Sequence, residues 1–426
     1  MSKIVVIGAG PMGLAAAQHA ARLGHEVDLV EGAPVAGGMA AHFDFGGLSI
    51  ERFYHFVCKT DDATFSLLKE LGLGDKMRWR PTSMGYFVDG KLYPWGDPLS
   101  LLTFPKLGLI DKFRYGLQAF LTTKKKDFSA LDKITTREWI ERFSGKRVYN
   151  LLWRPLMDLK FYELADEISA AWTAVRVKRI GRSRRSIFQE ELGYIEGGSQ
   201  TLIDALVADF KAHGGRLHLS CPAQEVTAEN RQVRGVIAGG QHFSADAVIS
   251  TIPVQAVPAL VPSLPENAKE QYRRIRNIGV VCLIFKFKRS VTRHFWVNIS
   301  DTHLHIPGII EFSNLRPVSD HIVYVPYYMP HSQAKWQWSD KQFIDEALAA
   351  IHRINPAIQD SDLIDVKVGR LKHAQPVCEP GFGERLPPVE TAIKGLQVAD
   401  TCFYYPEDRG ISESVRLGRV MVENII

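Results

Sequence analysis

Three glycines near the start of the chain have the spacing that brings a peptide backbone against a phosphate group. The segment Gly8–Gly13 reads GAGPMG. In such a segment Gly8 permits a tight turn, Gly10 leaves the backbone open to a pyrophosphate, and Gly13 lets a helix pack closely on a strand. Glu31 follows at the distance at which a carboxylate accepts hydrogen bonds from a ribose diol. These residues predict dinucleotide binding, although a glycine turn on its own also arises for structural reasons.

The elements around the glycines decide between these two interpretations. Lys3–Ile7 is an apolar run typical of a buried strand. A helix is predicted from about Met12 to Leu23, and Gly24 is placed to end it. The residues from His25 to Val30 predict a second strand. Strand, glycine turn, helix and strand make a βαβ unit whose helix N-terminus faces the phosphates, which favours a dinucleotide site.

A second glycine pair soon after the acid favours a flavin over a nicotinamide. Gly32 follows Glu31 directly, and Gly37–Met39 reads GGM. Bare backbone at these positions suits a pyrophosphate and the sugar chain that leads to a flavin, and nicotinamide folds do not require it. The whole stretch from Gly8 to Ala40 resembles the opening of the flavin amine oxidase superfamily. That group includes protoporphyrinogen oxidases, phytoene desaturases and monoamine oxidases, so the resemblance implies FAD.

Further segments resemble the same superfamily in the same chain order. Glu196–Leu202 resembles the glycine pair that opens the family's second helix, and Ala245–Pro253 resembles its "AD.VI.T.P" strand. Val226 sits where, by this resemblance, the backbone meets the adenine. Near the end, Val398–Thr401 resembles an AGDT segment whose aspartate contacts the ribityl or phosphate region. The resemblance therefore implies a flavin contact for Asp400, with Ala399 standing where the family usually has glycine.

The last matching segment, Gly410–Ser414, resembles a turn and helix N-terminus that meet the flavin ring. Such a helix end can stabilise negative charge on the N1–C2 side of a reduced flavin. We expect non-covalent FAD, with a thioether to Cys378 or Cys402 as the alternative. The residues assigned to cofactor binding by spacing and resemblance are Gly8, Gly10, Pro11, Met12, Gly13, Glu31, Gly32, Gly37, Gly38, Met39, Val226, Thr251, Asp400, Gly410, Ile411 and Ser414.

Catalytic candidates lie where, by the resemblance, the chain passes the flavin ring and the substrate cavity. His55 could move a proton or steer a substrate, and Arg52 beside it has the same two interpretations. The alternative for His55 is a structural histidine held by a backbone carbonyl between aromatic residues. Tyr405, just beyond Asp400, is expected as an aromatic wall beside the flavin. Together they predict an oxidase, desaturase or dehydrogenase that moves a hydride from a C–H or C–N centre to flavin N5.

Two other functions remain open at the level of sequence. A redox-neutral sugar-nucleotide mutase, of the UDP-galactopyranose type, shares the opening motif and binds a nucleotide diphosphate with arginines. A non-catalytic FAD-binding partner protein would bind the cofactor but lack a cavity that reaches N5. The substrate is expected to be a small molecule, lipophilic or anionic, and no signal for an oligomeric state is visible.

The predicted fold is α/β, a two-domain FAD-dependent oxidoreductase fold. A doubly wound dinucleotide-binding domain with a small antiparallel sheet is expected from residues 1–85, 190–255 and 366–426. Residues 86–189 and 256–365 are expected to form a discontinuous, mixed α+β substrate domain. The first of these insertions is predicted to be helical. The 426 residues, 46% of them hydrophobic, suffice for two cores.

Charge and cysteine usage narrow the partners. The formal net charge of +5 suits anionic ligands but does not require nucleic acid, and the aromatics are not interleaved with basic residues as a stacking platform requires. Five scattered cysteines without a CxxC pair indicate no zinc site or other metal site and a reducing compartment. The first residues do not resemble a secretory signal, and no run of eighteen apolar residues occurs. A cytoplasmic location is therefore expected.

Two surface features carry alternative interpretations. The basic run Arg176–Arg185 is a solvated face or a patch for an anionic substrate or phospholipid headgroups. The apolar stretch Leu99–Thr123 ends before Lys124–Lys126. It predicts helical packing inside the substrate domain, with peripheral membrane contact as the alternative.

Overall fold

The computed structural model describes residues 1–425. In chain order its strands are β1 (Lys3–Ile7), β2 (Glu26–Val30), β3 (His42–Asp44), β4 (Ser49–Glu51), β5 (Met77–Thr82), β6 (Met84–Val88), β7 (Lys91–Trp95), β8 (Arg184–Ser186), β9 (Gln189–Ile195), β10 (Arg216–His218), β11 (Ala223–Glu229), β12 (Gln232–Ala238), β13 (Gln241–Ser244), β14 (Ala247–Ser250), β15 (Asn277–Phe287), β16 (Trp296–Ile299), β17 (Gly308–Glu311), β18 (His321–Met329), β19 (Leu363–Pro376) and β20 (Leu396–Val398). The helices are α1 (Pro11–Arg22), α2 (Asp62–Glu70), α3 (Pro98–Thr103), α4 (Leu109–Lys124), α5 (Thr136–Phe143), α6 (Lys146–Val148), α7 (Arg154–Phe161), α8 (Ala170–Arg182), α9 (Ser199–Ala212), α10 (Val257–Leu260), α11 (Glu266–Arg273), α12 (Asp340–Ile354), α13 (Phe382–Arg385) and α14 (Ile411–Glu423).

Strand β1 lies at the centre of a five-stranded parallel sheet. Its residues from Ile4 to Ile7 are all buried, because an apolar strand without alternation needs cover on both faces. It pairs in parallel with β2 on one side and β14 on the other. The order β10-β2-β1-β14-β20 shows that the chain winds outward from β1 in both directions. The predicted βαβ opening and the α/β class are confirmed.

The two faces of this sheet have different covers. Ile4 and Val6 pack in one apolar cluster with side chains of α1, α9 and α14. Val5 and Val226 pack in another, beneath the small antiparallel sheet β11-β12-β13. Helices α1 and α14 approach so closely that a Cβ atom on Gly418 would lie 2.4 Å from the carbonyl oxygen of Met12. The first and last helices therefore pack backbone to backbone.

The small antiparallel sheet is narrower than the sequence predicts. The sequence has strand-like runs joined by turn residues between residues 216 and 251, and this pattern alone predicts one small sheet. The structure keeps β11, β12 and β13 there, but places β10 and β14 in the parallel sheet. All four residues of Ala247–Ser250 are buried, and such a strand belongs inside a covered sheet rather than in a half-exposed one.

A second, seven-stranded sheet carries the other half of the molecule. Its order is β19-β15-β18-β17-β16-β6-β7, and β16 joins β6 in parallel while the other neighbours are antiparallel. Helix α12 packs on it through Phe343 and Ile351. The predicted domain boundaries near residues 85 and 365 pass through β6 and β19, which both belong to this sheet. The division into two domains otherwise stays a prediction.

The segment between β7 and β8 is helical, as predicted, and comprises α3 to α8. Helix α4 packs against α8, where a Cβ atom on Gly181 would lie 2.7 Å from the Thr123 side chain. Within residues 1–425, no helix is both long and apolar enough to cross a membrane.

Candidate functional site

The glycine segment folds as its spacing requires. Gly8 has a φ of +97°, a left-handed conformation that side chains disfavour. A Cβ atom on Gly13 would lie 1.8 Å from the carbonyl oxygen of Gly8, so only glycine lets α1 start this close to β1. A Cβ atom on Gly10 would meet no atom within 4 Å, because Gly10 borders open space. Helix α1 thus presents its first N–H groups to a cavity, which favours an anionic ligand.

Glu31 ends β2 beside this turn. Its carboxylate accepts hydrogen bonds from the backbone N–H groups of Ala9 (2.7 Å) and Ala33 (2.8 Å). Gly37, with a φ of +112°, donates its N–H to the carbonyl oxygen of Ala9 at 2.7 Å. A Cβ atom on Gly38 would lie 3.1 Å from the Cα atom of Gly10. We call the group formed by Gly8–Gly13, Glu31, Gly37 and Gly38 the dinucleotide cradle.

One continuous cavity of about 730 Å³ runs from the cradle to the seven-stranded sheet. That volume falls in the range of cofactor and ligand sites. The structure brings together most of the residues assigned from the sequence. Those that line the cavity are Gly8, Gly10, Pro11, Met12, Glu31, Gly38, Met39, His55, Thr251, Asp400, Gly410, Ile411 and Ser414.

Other assigned residues lie outside the cavity lining. Gly13 and Gly37 support the cradle from behind, and a Cβ atom on Gly32 would touch Pro222. Val226 is buried in the core under the small sheet. Their roles toward a cofactor stay predictions.

Two of the catalytic candidates also lie away from the lining. The Arg52 side chain is exposed to solvent. The Tyr405 hydroxyl contacts the Asp132 carboxylate and lies 2.7 Å from the Ser169 hydroxyl. Burial and the bond to Asp132 raise the pKa of Tyr405. Tyr404, the neighbouring residue, lines the cavity in its place.

Asp400 and the start of α14 form one wall. The Asp400 carboxylate accepts hydrogen bonds from the N–H groups of Cys402 (2.8 Å) and Val254 (3.0 Å), and burial raises its pKa. It therefore ties β20 to the segment after β14. The Ser414 hydroxyl donates to the Gly410 carbonyl oxygen at 2.9 Å and lies 2.8 Å from the Tyr404 hydroxyl. These contacts hold the N-terminus of α14 against the cavity.

His55 lies in the cavity wall, and one of its ring nitrogens is hydrogen-bonded to the backbone. Its Nδ1 atom is 2.6 Å from the Phe53 carbonyl oxygen, which can only accept, so Nδ1 carries the proton. Burial lowers the pKa of His55, which keeps the ring neutral at neutral pH. The Nε2 atom is then an acceptor, and both the structural and the proton-transfer interpretation of His55 remain compatible with this geometry.

A buried ion-pair network closes the cavity near β4. Arg316 Nη1 donates to the Glu51 carboxylate at 2.8 Å, and His42 Nε2 lies 3.4 Å from the same carboxylate. Burial alone raises the pKa of Glu51, but the hydrogen bond from His42 and the Arg316 charge outweigh it and hold that pKa below its ordinary value. A Cβ atom on Gly198 would overlap His42 and Glu51, which explains the second glycine of the GGS segment. Sequence reasoning did not identify Glu51 as a site residue.

Four cationic side chains, which we call the cation cluster, line the cavity: Lys160, Arg176, Arg179 and Arg409. Arg176 pairs with Asp408 at 2.7 Å. Arg179 pairs with Asp61 at 2.8 Å and lies 3.5 Å from Asp408. Two members fall in the basic run at Arg176–Arg185, so part of that run is buried rather than solvated.

The remaining two members were missed from the sequence. Arg409 directly precedes Gly410, and that adjacency to a flavin-ring motif was the available signal. Lys160 is an ordinary lysine in a helical stretch, and no local pattern sets it apart. Only the packing of α7 against the seven-stranded sheet brings it to the cavity.

Comparison with known proteins places this site in a family. A sequence profile of the flavin containing amine oxidoreductases matches residues 13–400. The chain belongs to that family. This match confirms the family resemblance that the sequence motifs predict.

Individual relatives are distant. The 15-cis-phytoene desaturase of Narcissus pseudonarcissus is 24% identical over 284 residues, which make up 61% of this chain and 49% of that protein. The chain thus spans about half the length of this curated relative. An oxidoreductase from Methanosarcina mazei superposes with a TM-score of 0.76 at 20% identity, covering 99% of this chain and 100% of that one. A reduced UDP-galactopyranose mutase superposes with a TM-score of 0.78 at 15% identity, covering 100% and 95%. The two structures show a shared fold.

The residues present fit the family's flavin. The open backbone at Gly10, the two helix N-termini of α1 and α14, and the Glu31 carboxylate all face one cavity. Cys378 and Cys402 are both buried and lie outside its lining. Among the described residues no group of three or more His, Cys, Asp or Glu side chains could hold a metal ion.

Proposed function

We propose that this chain is an FAD-dependent oxidoreductase that removes a hydride from a C–H or C–N centre of a small-molecule substrate. The observation that carries the proposal is the continuity of the cavity. It joins the dinucleotide cradle at Gly8–Gly13 to a chamber walled by Trp153, Trp172 and Tyr328. A cofactor anchored at one end can therefore meet a substrate at the other.

The chain's own groups have separate tasks in this proposal. The N-terminus of α1 binds the pyrophosphate, and Glu31 accepts the ribose hydroxyls. FAD supplies the hydride acceptor at its N5 atom. The N-terminus of α14 at Gly410 faces the cavity and would stabilise negative charge on a reduced flavin. The aromatic walls exclude water, and the Nε2 atom of His55 accepts a substrate proton.

Absorbance of the purified protein tests the cofactor. We expect flavin bands and, after denaturation and precipitation, a yellow supernatant that contains FAD, because neither buried cysteine lines the cavity. Yellow colour retained in the pellet would overturn the non-covalent part. A colourless protein that cannot be reconstituted with FAD would overturn the whole proposal. Candidate substrates are then screened by anaerobic bleaching of the flavin.

A redox-neutral mutase is the second candidate, and the cation cluster is the observation that favours it, since arginines suit a nucleotide diphosphate. The two functions differ in what turnover requires. An oxidoreductase bleaches with its substrate and consumes an acceptor. A mutase works only after the flavin has been reduced and consumes none. A non-catalytic role is disfavoured by the continuous cavity.

A further inference from the structure

We propose that the chamber binds a substrate with an oxyanionic group, a phosphate or diphosphate, held by Lys160, Arg176 and Arg409. This inference rests on the proposed function, because it names the substrate class of the same cavity. The cofactor's own diphosphate is accounted for by the cradle on the other sheet. The cluster therefore has no anion assigned to it beyond two carboxylates.

Lys160 is the clearest sign of an unfilled anion position. Its ammonium group lies over the rings of Tyr328 (4.5 Å), Trp172 (5.1 Å) and Phe161 (5.5 Å). Among the described residues no carboxylate lies within 4.0 Å of its nitrogen. Burial, with the neighbouring cations, lowers the pKa of Lys160 well below its ordinary value. A buried ammonium held only by ring faces is costly, and an anion from the cavity would stabilise it.

Arg409 has free hydrogen-bond donors at the same place. Its Nη2 atom donates to the Tyr328 hydroxyl at 3.3 Å. Its Nε and Nη1 atoms are buried, and no acceptor within residues 1–425 satisfies them. Unsatisfied guanidinium donors in a buried site are rare, because each costs about 1–3 kcal/mol or more when left without a partner. An anionic oxygen, such as that of a phosphate, is a strong acceptor for such donors.

The charges of the chamber do not balance without a ligand. The four cations of the cluster face two carboxylates, Asp61 and Asp408. Arg176 is further committed, since its Nη1 donates to the Trp172 carbonyl oxygen at 2.9 Å and its guanidinium lies 3.4 Å from the Trp172 ring centre. A bound anion would favour the protonated form of Lys160, and the cluster then carries two positive charges more than its carboxylates, which matches the charge of a diphosphate or a phosphate monoester.

Inorganic pyrophosphate and phosphate are the probes. Each is titrated into the oxidised holoprotein, and the flavin difference spectrum reports occupancy of the chamber. We expect saturable pyrophosphate binding that weakens at least about tenfold in Lys160→Met and in Arg409→Met. Arg185→Met, at an exposed arginine outside the lining, should bind as the parent does. A tighter response to a carboxylate such as succinate would overturn the phosphate assignment.

The outcomes of this titration distinguish a failure of the anion inference from a failure of the proposed function. If the protein holds FAD but no probe perturbs it, the anion inference fails while the flavoenzyme proposal stands. If Lys160→Met lowers the flavin reduction potential but leaves pyrophosphate affinity unchanged, the cluster serves the flavin and the inference is overturned. If the parent protein lacks FAD, the function fails first. The anion site is then tested by comparing the pyrophosphate thermal shift of the parent with that of Lys160→Met, since this variant changes the cation cluster and leaves the empty cradle intact.

A second, independent observation concerns the surface of α3 and α4. Eight of the fifteen exposed large apolar side chains among the described residues fall between Leu99 and Leu121. The pattern of burial in helix α4 is the reverse of the usual one, because its buried residues are the polar Lys112, Gln118 and Thr122. Its exposed apolar residues, which we call the outer apolar face, are Leu109, Ile110, Phe113, Leu117, Phe120 and Leu121.

We infer that the outer apolar face docks on an anionic lipid bilayer. A helix with a continuous apolar face turned to solvent requires a cover, since monomeric proteins rarely expose such a patch. Exposed Lys124 ends the helix and exposed Lys126 follows it. Exposed Lys146 and Arg147 lie on α6, which packs against α4. An apolar face bordered by lysine and arginine is the pattern of helices that lie in a lipid interface.

Vesicle sedimentation tests this inference. We expect the holoprotein to bind vesicles that contain phosphatidylglycerol and to bind phosphatidylcholine vesicles much less. The double variant Ile110→Ser/Phe113→Ser should lose at least about tenfold in affinity. Leu219→Ser, at a partly exposed leucine beyond β10, is the matched control and should bind normally. Absence of vesicle binding, or a dimer that this double variant dissociates, would overturn the bilayer in favour of no partner or a second copy.

Discussion

The two ends of the cavity recognise charge in different ways. At the cradle, backbone N–H groups and bare glycines face the ligand, and the one carboxylate, Glu31, is already held by two N–H groups. At the chamber, side chains from α7, α8 and the loop before α14 supply the charge. The first end is fixed by local backbone geometry. The second depends on burial and on charges that balance one another across the chain.

The largest effect is expected from two single glycine substitutions in the cradle, which should have opposite consequences. Gly10→Ala adds a Cβ atom into open space, so the fold should be kept while FAD is lost, because the pyrophosphate needs that space. Gly13→Ala would overlap the Gly8 carbonyl oxygen and should lower the free energy of unfolding by about 1–3 kcal/mol or more. FAD content and thermal melting measure both. A Gly10→Ala protein that retains FAD would contradict the assignment of the FAD pyrophosphate to the cradle.

At the chamber, Asp408→Asn should be the most damaging single change. It removes the partly buried carboxylate that pairs with Arg176 and Arg179. Breaking a fully buried pair costs about 3–5 kcal/mol of unfolding free energy, so the loss here should lie at or below the low end of that range. Denaturant unfolding measures it. Asp345→Asn, which removes an exposed pair with Lys341, is the control and should cost no more than about 0.5 kcal/mol. Equal losses in the two variants would contradict a tightly coupled cluster.

His55→Ala tests whether the His55 side chain, in the cavity wall between the cradle and the chamber, transfers a proton during flavin reduction. A proton-transfer role predicts that flavin reduction by substrate slows about 100-fold, with little change in melting temperature. Because burial lowers the pKa of His55, the rate of flavin reduction in the parent protein should fall only at pH values below the ordinary histidine pKa. Stopped-flow reduction over pH measures both features. A lower melting temperature with an unchanged rate would show a structural histidine instead.

An effect visible only in acid is expected from His294, which lies beside the second sheet. Burial lowers the pKa of His294 to about 4, whereas in the unfolded chain it is near 6.5. The unfolded state therefore takes up the proton first as the pH falls from 6.5 to 4, and stability is lost in that window. His294→Gln should flatten the acid side of a melting-temperature profile and run parallel to the parent above pH 7. An unchanged acid side would show that other groups control it.

Sequence predicted the cradle well because its residues are contiguous and each glycine answers a local steric demand. The requirement for glycine at Gly8, Gly13 and Gly38 can be recognised without knowing the rest of the fold. The chamber differs, since Lys160, Arg176 and Arg409 come from three separate segments that meet only after folding. Arg52 and Tyr405 were chosen by closeness in sequence to the right region. Tyr404 lines the cavity while Tyr405, the next residue, does not, and His55 lines it while Arg52, three residues earlier, does not.

The placement of α14 has a consequence for biosynthesis. The N-terminus of this helix completes a cavity whose other end forms within the first forty residues, and Gly418 packs against α1. A ribosome that has made the first three hundred residues has therefore produced a nucleotide turn without its opposite wall. Because contacts of such long sequence separation form late, the nascent chain should capture its cofactor only after α14 has been synthesised. Supply of flavin at that moment would then govern the yield of active protein.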